Sequence, residues 1–181
     1  MMWLQTDAST APEWAVRLAE KLTRLCDSIT ERNCPNISLR PVGPYNWYAC
    51  TQLEVTEEQK TLFPVPAVYW LAESAYCGFT PLAVYTGEQL AGLAVYAVDP
   101  DDGCYWIMAY MIDRHFQSRG LGRAGMKALI RYMAEAHGCH TIRLGHRPEN
   151  GTAASLYASL GFRQMECCEN EIVRELNIPS R

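Results

Sequence analysis

Apolar and polar positions alternate with two different periods along the chain, and the periods divide it into helices and strands. Between residues 10 and 30, Trp14, Leu18, Leu22, Leu25 and Ile29 recur at helical spacing. Thr10 and Glu13 supply a capping box, and Pro12 falls in the first turn, where its missing N–H is tolerated. Glu13/Arg17 and Glu20/Arg24 are i,i+4 pairs on the opposite face. Asn33 to Asn36, with Pro35, ends this helix, and a short strand is predicted over 37–41. Residues 45–77 read as helical, interrupted near Pro64 and Pro66.

Strand periodicity takes over at residue 82. Segments 82–85 and 90–98 read as a hairpin around Gly87, and the run Asp99-Pro-Asp-Asp-Gly103 is a dense turn signal. Residues 105–112 form an apolar run of strand length, followed by a polar, glycine-ending loop over 113–122. A helix is predicted over 120–137, with Leu121, Ala128, Leu129, Tyr132, Met133 and Ala136 inward and Gly138 as its stop. A strand at 141–145 turns Ile142 and Leu144 to one face. A helix at 150–160 stops at Gly161, and strands at 162–168 and 171–176 close the chain. Consecutive central strands argue antiparallel pairing, and the strand-helix-strand unit over 105–145 argues one parallel step. The expectation is a mixed α/β sheet.

Composition narrows the class. The 181 residues are 49% hydrophobic and 20% charged, enough for one self-sufficient core and unlike a disordered chain. A net charge of −4 argues against a nucleic-acid binder. No apolar run approaches a membrane span, and the first residues carry neither a basic patch nor an apolar signal core, so the expected localisation is cytoplasmic. The eight cysteines contain no C-x-x-C pair and read as reduced thiols, most of them small core hydrophobes. His137, Cys139, His140 and His146 are close in sequence but fit no common metal-ligand spacing, so no metal is expected.

Gln117-Ser-Arg-Gly120-Leu-Gly122 lies between a strand and a helix. Glycines there leave backbone N–H groups facing outward at a helix N-terminus, which suits a phosphate or pyrophosphate; Arg119 and Arg123 add positive charge. A plain glycine-rich turn with solvated arginines is the alternative. Gly120, Gly122 and Gly125 also spell G-x-G-x-x-G, but that dinucleotide fingerprint needs an acidic residue about 20 positions on, where Gly145 stands. The nucleoside-triphosphate loop fails too, because Arg123-Ala124 replaces Lys-Ser/Thr.

A second motif, from Asn150 to Phe162, reads N-x-x-A-x-x-L-Y-x-x-x-G-F, with Asn150, Ala153, Leu156, Tyr157, Gly161 and Phe162 at its fixed positions. Together with Q-x-x-G-x-G, which matches that family's acetyl-CoA signature, the chain resembles the GNAT superfamily of N-acetyltransferases from about residue 37 to 176. In its middle, from Leu53 to Phe63 and around Pro81 to Tyr85, Tyr105 to Ile107 and Met111 to Asp113, it looks like the bacterial diamine, spermidine and spermine N-acetyltransferases. The resemblance implies a mixed, mostly antiparallel sheet of about seven strands with a splayed central pair, flanked by helices. It divides the chain into an N-terminal helical extension at 1–36 and a GNAT domain at 37–181.

The resemblance also implies roles. Acetyl-CoA would lie in the splay as co-substrate, with its pantetheine amides on the backbone of Tyr110, Met111 and Ile112. Its pyrophosphate would rest on Gln117, Ser118, Arg119, Gly120, Leu121, Gly122 and Arg123. Asn150 and Ala153 would touch the pantetheine arm, although Asn150 also reads as a helix N-cap. Tyr157 would be the general acid that protonates the leaving thiolate, against the alternative of an aromatic anchor for its helix. No carboxylate occurs in 105–112, so the general base stays open between a relayed water, Glu54 and Glu73.

Residues 1–112 carry 13 acidic and 6 basic side chains, net −7, and residues 113–181 carry 10 basic and 7 acidic, net +3. The basic part suits a polyanionic cofactor, and the acidic part suits a cationic acceptor, with Asp101 and Asp102 as first candidates. The function expected is acetyl transfer to a primary amine, with a polyamine or diamine leading and an aminoglycoside, amino acid or protein N-terminus as other acceptors. An idle acyl-CoA-binding module is the rival class. Expected partners are a small-molecule amine, no nucleic acid and no membrane, with a homodimer left open.

Overall fold

Side-chain alternation along each strand sorts the apolar residues into two layers. The computed structural model describes residues 35–168 and 170–179, so the helix expected over 10–30 lies outside the described residues. Seven strands form one sheet: β1 (Ile37–Pro41), β2 (Thr80–Thr86), β3 (Gln89–Val98), β4 (Tyr105–Ile112), β5 (Thr141–His146), β6 (Arg163–Cys168) and β7 (Glu171–Asn177). Their order is β1-β2-β3-β4-β5-β7-β6, antiparallel throughout except for the parallel β4–β5 step. Four α-helices are described: α1 (Trp47–Thr51), α2 (Ala67–Cys77), α3 (Leu121–His137) and α4 (Gly151–Ser159).

One core joins Leu82, Val84, Ala94 and Tyr96 to Leu121, Met126, Leu129 and Met133 of α3 and Tyr157 of α4. The other joins Ala83, Leu93, Val95, Ala109 and Met111 to Cys50, Leu53 and Ala67 on the side of α1 and α2. The α3 stripe runs Leu121, Gly125, Leu129, Met133 at i,i+4, with Met126 beside it. Its next position is His137, whose ring packs on Tyr96, so Ala136 is left at the surface rather than inward. Gly138 takes φ +62° and closes the helix with bonds from its own N–H to Ala134 and from Cys139 N–H to Met133.

The region expected to be helical over 45–77 is helical only at α1 and α2. Between them a one-turn 3-10 helix covers Glu57–Gln59, and Pro64 and Pro66 keep the chain extended before α2. The strand β4 carries the feature that shapes the molecule. Val95 pairs with Ala109 and Tyr96 with Ile107, so Met108 is an unpaired extra residue, a β-bulge. The bulge reverses the alternation: Ile107 packs in the α3 core, while Ala109 packs in the α1/α2 core.

The end of β4 is tied to the α1/α2 side by Asp113. Its buried carboxylate accepts hydrogen bonds from the backbone N–H of Glu54 (3.0 Å) and of His115 (2.9 Å). Asp113→Ala removes both acceptors and leaves the Glu54 N–H unpaired. Hydrogen bonds to a charged group contribute about 1.5–3 kcal/mol each, so urea unfolding should show a loss of about 3 kcal/mol. A loss under about 0.5 kcal/mol, the scatter of ordinary surface changes, would show that the tie contributes nothing. No helix among the described residues is long and apolar enough to cross a membrane.

Candidate active site

Beyond the bulge, β4 loses its neighbour. β4 and β5 pair only at Tyr105–Ile142, Trp106–Arg143 and Ile107–Leu144. From Met108 to Ile112 the β4 edge facing β5 has no strand partner among the described residues, so backbone groups there are open to a ligand, apart from the Ile112 carbonyl, which accepts from the Gln117 amide. The extra residue at Met108 bends and twists its strand, which accounts for the separation starting where it does.

Two cavities occupy the gap. One, of about 460 Å³, is lined by Tyr110, Met111, Ile112, Gln117, Ser118, Gly122, Asn150, Ala153, Leu156 and Tyr157. The other, of about 440 Å³, is lined by Ile107, Met108, Gly145, His146, Arg147, Asn170 and Glu171 among others. Leu62, Phe63, Tyr110, Asn150 and Tyr157 belong to both, so the two cavities meet there.

The first cavity thus gathers nine of the residues picked from the sequence. The other four lie elsewhere. The Leu121 side chain is in the core, and Gly120 is exposed at φ +75° as the helix N-cap. Arg119 lies over the Phe116 ring at 5.8 Å, and Arg123 reaches the Ser159 carbonyl at 3.5 Å. Their backbone still belongs to the loop. Ser118, at φ +59°, and Gly120 are both left-handed, and α3 begins without a side-chain cap. Such a turn gathers outward N–H groups into a concavity for anions. A Cβ at Gly122 would meet only Ile112, at 4.0 Å, so this face of the loop is open to a ligand.

Gly125, the third glycine of the false fingerprint, has another reason to be glycine. A Cβ there would collide with the Tyr110 hydroxyl, which donates to the Gly122 carbonyl at 2.8 Å. Burial pushes the Tyr110 phenol pKa well up. Gln117 spends its amide donor on the Ile112 carbonyl (2.8 Å) and on Gln59 (2.8 Å), whose oxygen also accepts from Thr56 N–H. Its side chain therefore fastens the loop to β4 and to the 3-10 turn. Val55, Gln59, Leu62 and Phe63, missed in the sequence, form the wall opposite, because Asp113 holds residue 54 against the end of β4.

Tyr157 is buried, with its ring 5.9 Å from both His146 and Phe162. Burial pushes its pKa up to about 12, so it keeps its proton at any ordinary pH. Asn150 caps α4, its Oδ1 accepting from Ala153 N–H at 3.0 Å, and lines both cavities as well. The histidines near Cys139 have other commitments: His137 bonds the Tyr96 hydroxyl at 2.8 Å, and His146 bonds Arg174 at 2.9 Å.

The carboxylates considered as a base do not reach the meeting point. Glu54 pairs with Arg114 at 2.9 Å, and neither Glu54 nor Glu73 lines either cavity. Asp101 and Asp102 are likewise absent from both cavities, and Asp102 pairs with Arg143 at 2.7 Å. Glu54, Glu57, Glu88 and Asp102 are thus held in ion pairs, and neither cavity is lined by a described acid of the N-terminal half. Glu171 and Asn170, which the sequence did not single out, stand in the second cavity instead.

The chain matches the Acetyltransferase (GNAT) family over residues 44–162. It is 30% identical over 135 residues to the spermine/spermidine N(1)-acetyltransferase of Bacillus subtilis (strain 168), covering 71% of this chain and 88% of that protein. Over 83 residues it is 35% identical to the [ribosomal protein bS18]-alanine N-acetyltransferase of Salmonella typhimurium, covering 46% of this chain and 54% of that one. The crystal structure of spermidine N-acetyltransferase from Vibrio cholerae, in complex with CoA and spermine, superposes with a TM-score of 0.63 at 15% identity. That alignment covers 79% of this chain and 95% of the other.

Proposed function

The chain belongs to the acetyltransferase (GNAT) family and is an acetyl-CoA-dependent acetyltransferase, and on that premise we propose that it acetylates a primary amine of the polyamine or diamine class. The observation that supports this most is the meeting of two cavities at Tyr157 in the gap between β4 and β5. One cavity carries the anion-suited loop and the open edge of β4, and the other, which meets it at Tyr157, has a carboxylate in its wall. The 30% identity to a spermine/spermidine N(1)-acetyltransferase supports the acceptor class.

In this reading the loop from Gln117 to Arg123 holds the pyrophosphate, through N–H groups at the start of α3 and the favourable end of its dipole. The backbone of Tyr110, Met111 and Ile112 receives the pantetheine amides, and Asn150 and Ala153 border the same arm. Bound acetyl-CoA supplies the thioester whose C–S bond breaks as the C–N bond to the amine forms. Tyr157 gives its proton to the departing sulfur. The division into a helical extension at 1–36 and a catalytic domain at 37–181 belongs to the same proposal, since every residue of both cavities lies beyond residue 54.

The test is release of free thiol from acetyl-CoA with spermine, spermidine, a diamine, a monoamine of similar length, an amino acid, an aminoglycoside and a short peptide. The expected result is the highest kcat/KM for the polyamines, with an advantage that shrinks as salt screens charge pairing. Equal rates across polyamines and monoamines would remove the polyamine acceptor and leave the acetyltransferase.

A further inference from the structure

The geometry points to Glu171 as the residue that holds the acceptor's ammonium group and takes its proton. This rests on the amine-acetyltransferase reading and names the residue the acceptor meets. Glu171 opens β7, two positions before Val173, which pairs with Gly145 of β5. Its carboxyl group lies directly over Gly145: a Cβ at that position would collide with Oε1 and would stand 2.6 Å from Cδ. Gly145 follows Leu144, the last β5 residue paired with β4, so the carboxylate sits over the strand just where the gap opens. It lines the cavity that meets the cofactor-side cavity at Tyr157.

The other titratable and charged groups facing this cavity cannot accept a proton there. On β5, His146 uses both ring nitrogens: Nε2 accepts from the Arg174 guanidinium of β7 at 2.9 Å, which leaves Nδ1 to donate to the Arg147 carbonyl at 2.9 Å. Arg147 lines the cavity as a cation. On β4, the Tyr110 hydroxyl is bound to the Gly122 carbonyl, and on α4 Tyr157 is the proton donor. Glu171 is the carboxylate in this wall among the described residues. It is exposed, so a proton taken from the substrate passes on to solvent.

The proton balance closes. An alkylammonium gives one N–H proton to Glu171, and the freed lone pair makes the C–N bond to the acetyl carbon. The C–S bond breaks, and sulfur receives the Tyr157 proton. The second proton leaving the amine nitrogen restores Tyr157. With Arg147 in the same wall, the acceptor's charge is read at one carboxylate rather than by a broad acidic field.

The experiment compares wild type, Glu171→Gln and Gly145→Ala with spermidine across pH, alongside calorimetric acetyl-CoA binding to show that each variant is folded. Glu171→Gln should lower kcat/KM about tenfold near neutral pH, less than the usual range for a removed base because solution provides some neutral amine. The deficit should close as pH approaches the ~10.4 of a free alkylamine, where no base is needed. Gly145→Ala keeps the carboxyl group but displaces it, and should show a deficit of the same sign. Acetyl-CoA affinity should be unchanged in both. A pH-independent deficit, or wild-type kinetics in Glu171→Gln, would overturn the assignment to Glu171 alone. A wild-type protein that releases no thiol with any amine would overturn the acceptor reading, and the role of Glu171 with it.

Discussion

Tyr157→Phe should reduce kcat by about 10²-fold while acetyl-CoA affinity stays within about twofold, the lower end of what a positioned general acid contributes. The substitution keeps the ring that packs between His146 and Phe162, so the fold loses little. It removes a hydroxyl at the junction of the two cavities, where the other phenol, Tyr110, is already committed to the Gly122 carbonyl. The pH dependence follows from burial. A raised pKa means that the proton is present below it and lost above it, so Tyr157 stays a competent acid through pH 10, where an ordinary tyrosine ionises, and fails only toward about 12. Wild-type kcat should therefore show no alkaline loss around pH 10. Equal kcat in wild type and Tyr157→Phe would reduce Tyr157 to a packing residue.

Gly122→Glu should weaken acetyl-CoA binding by about 10²-fold, or ~2.8 kcal/mol, measured by calorimetry. The open space at this glycine means that the new side chain is tolerated by the protein and fills the ligand's place. Its charge would also face the pyrophosphate, and like-charge juxtaposition costs several kcal/mol. The Gly122 carbonyl that anchors the Tyr110 hydroxyl is backbone and survives the change. Unchanged affinity in a folded variant would remove the loop from the cofactor site. Gly125 offers a contrast: a side chain there strikes Tyr110, so its substitution should lower stability before it affects binding.

The sequence by itself determined the strands, the α3 and α4 helices and most of the residues that the structure gathers in the first cavity. Period-two and period-3.6 patterns are local, and the run from Gln117 to Gly122 and the motif from Asn150 to Phe162 act through short stretches whose spacing survives folding. Even there a motif letter did not reveal a job: Gln117 fastens the loop to Ile112 and Gln59, and Gly125 makes room for a tyrosine. The resemblance implied a splayed central pair, but tertiary structure alone decided where it opens and which side chains line the second cavity. A one-residue bulge at Met108 has no local signature, because it exists only in the register between β3 and β4. The helical reading of 45–77 failed where Asp113 draws residue 54 against the end of β4, a contact across 59 positions. Charge counted along the chain does not say where the charges meet: Asp102, from the acidic part, pairs with Arg143 of β5, 41 positions away. Glu171 reaches the site only because β7 pairs with β5 and Gly145 leaves space above its backbone, an arrangement set by long-range pairing and invisible to any window of sequence.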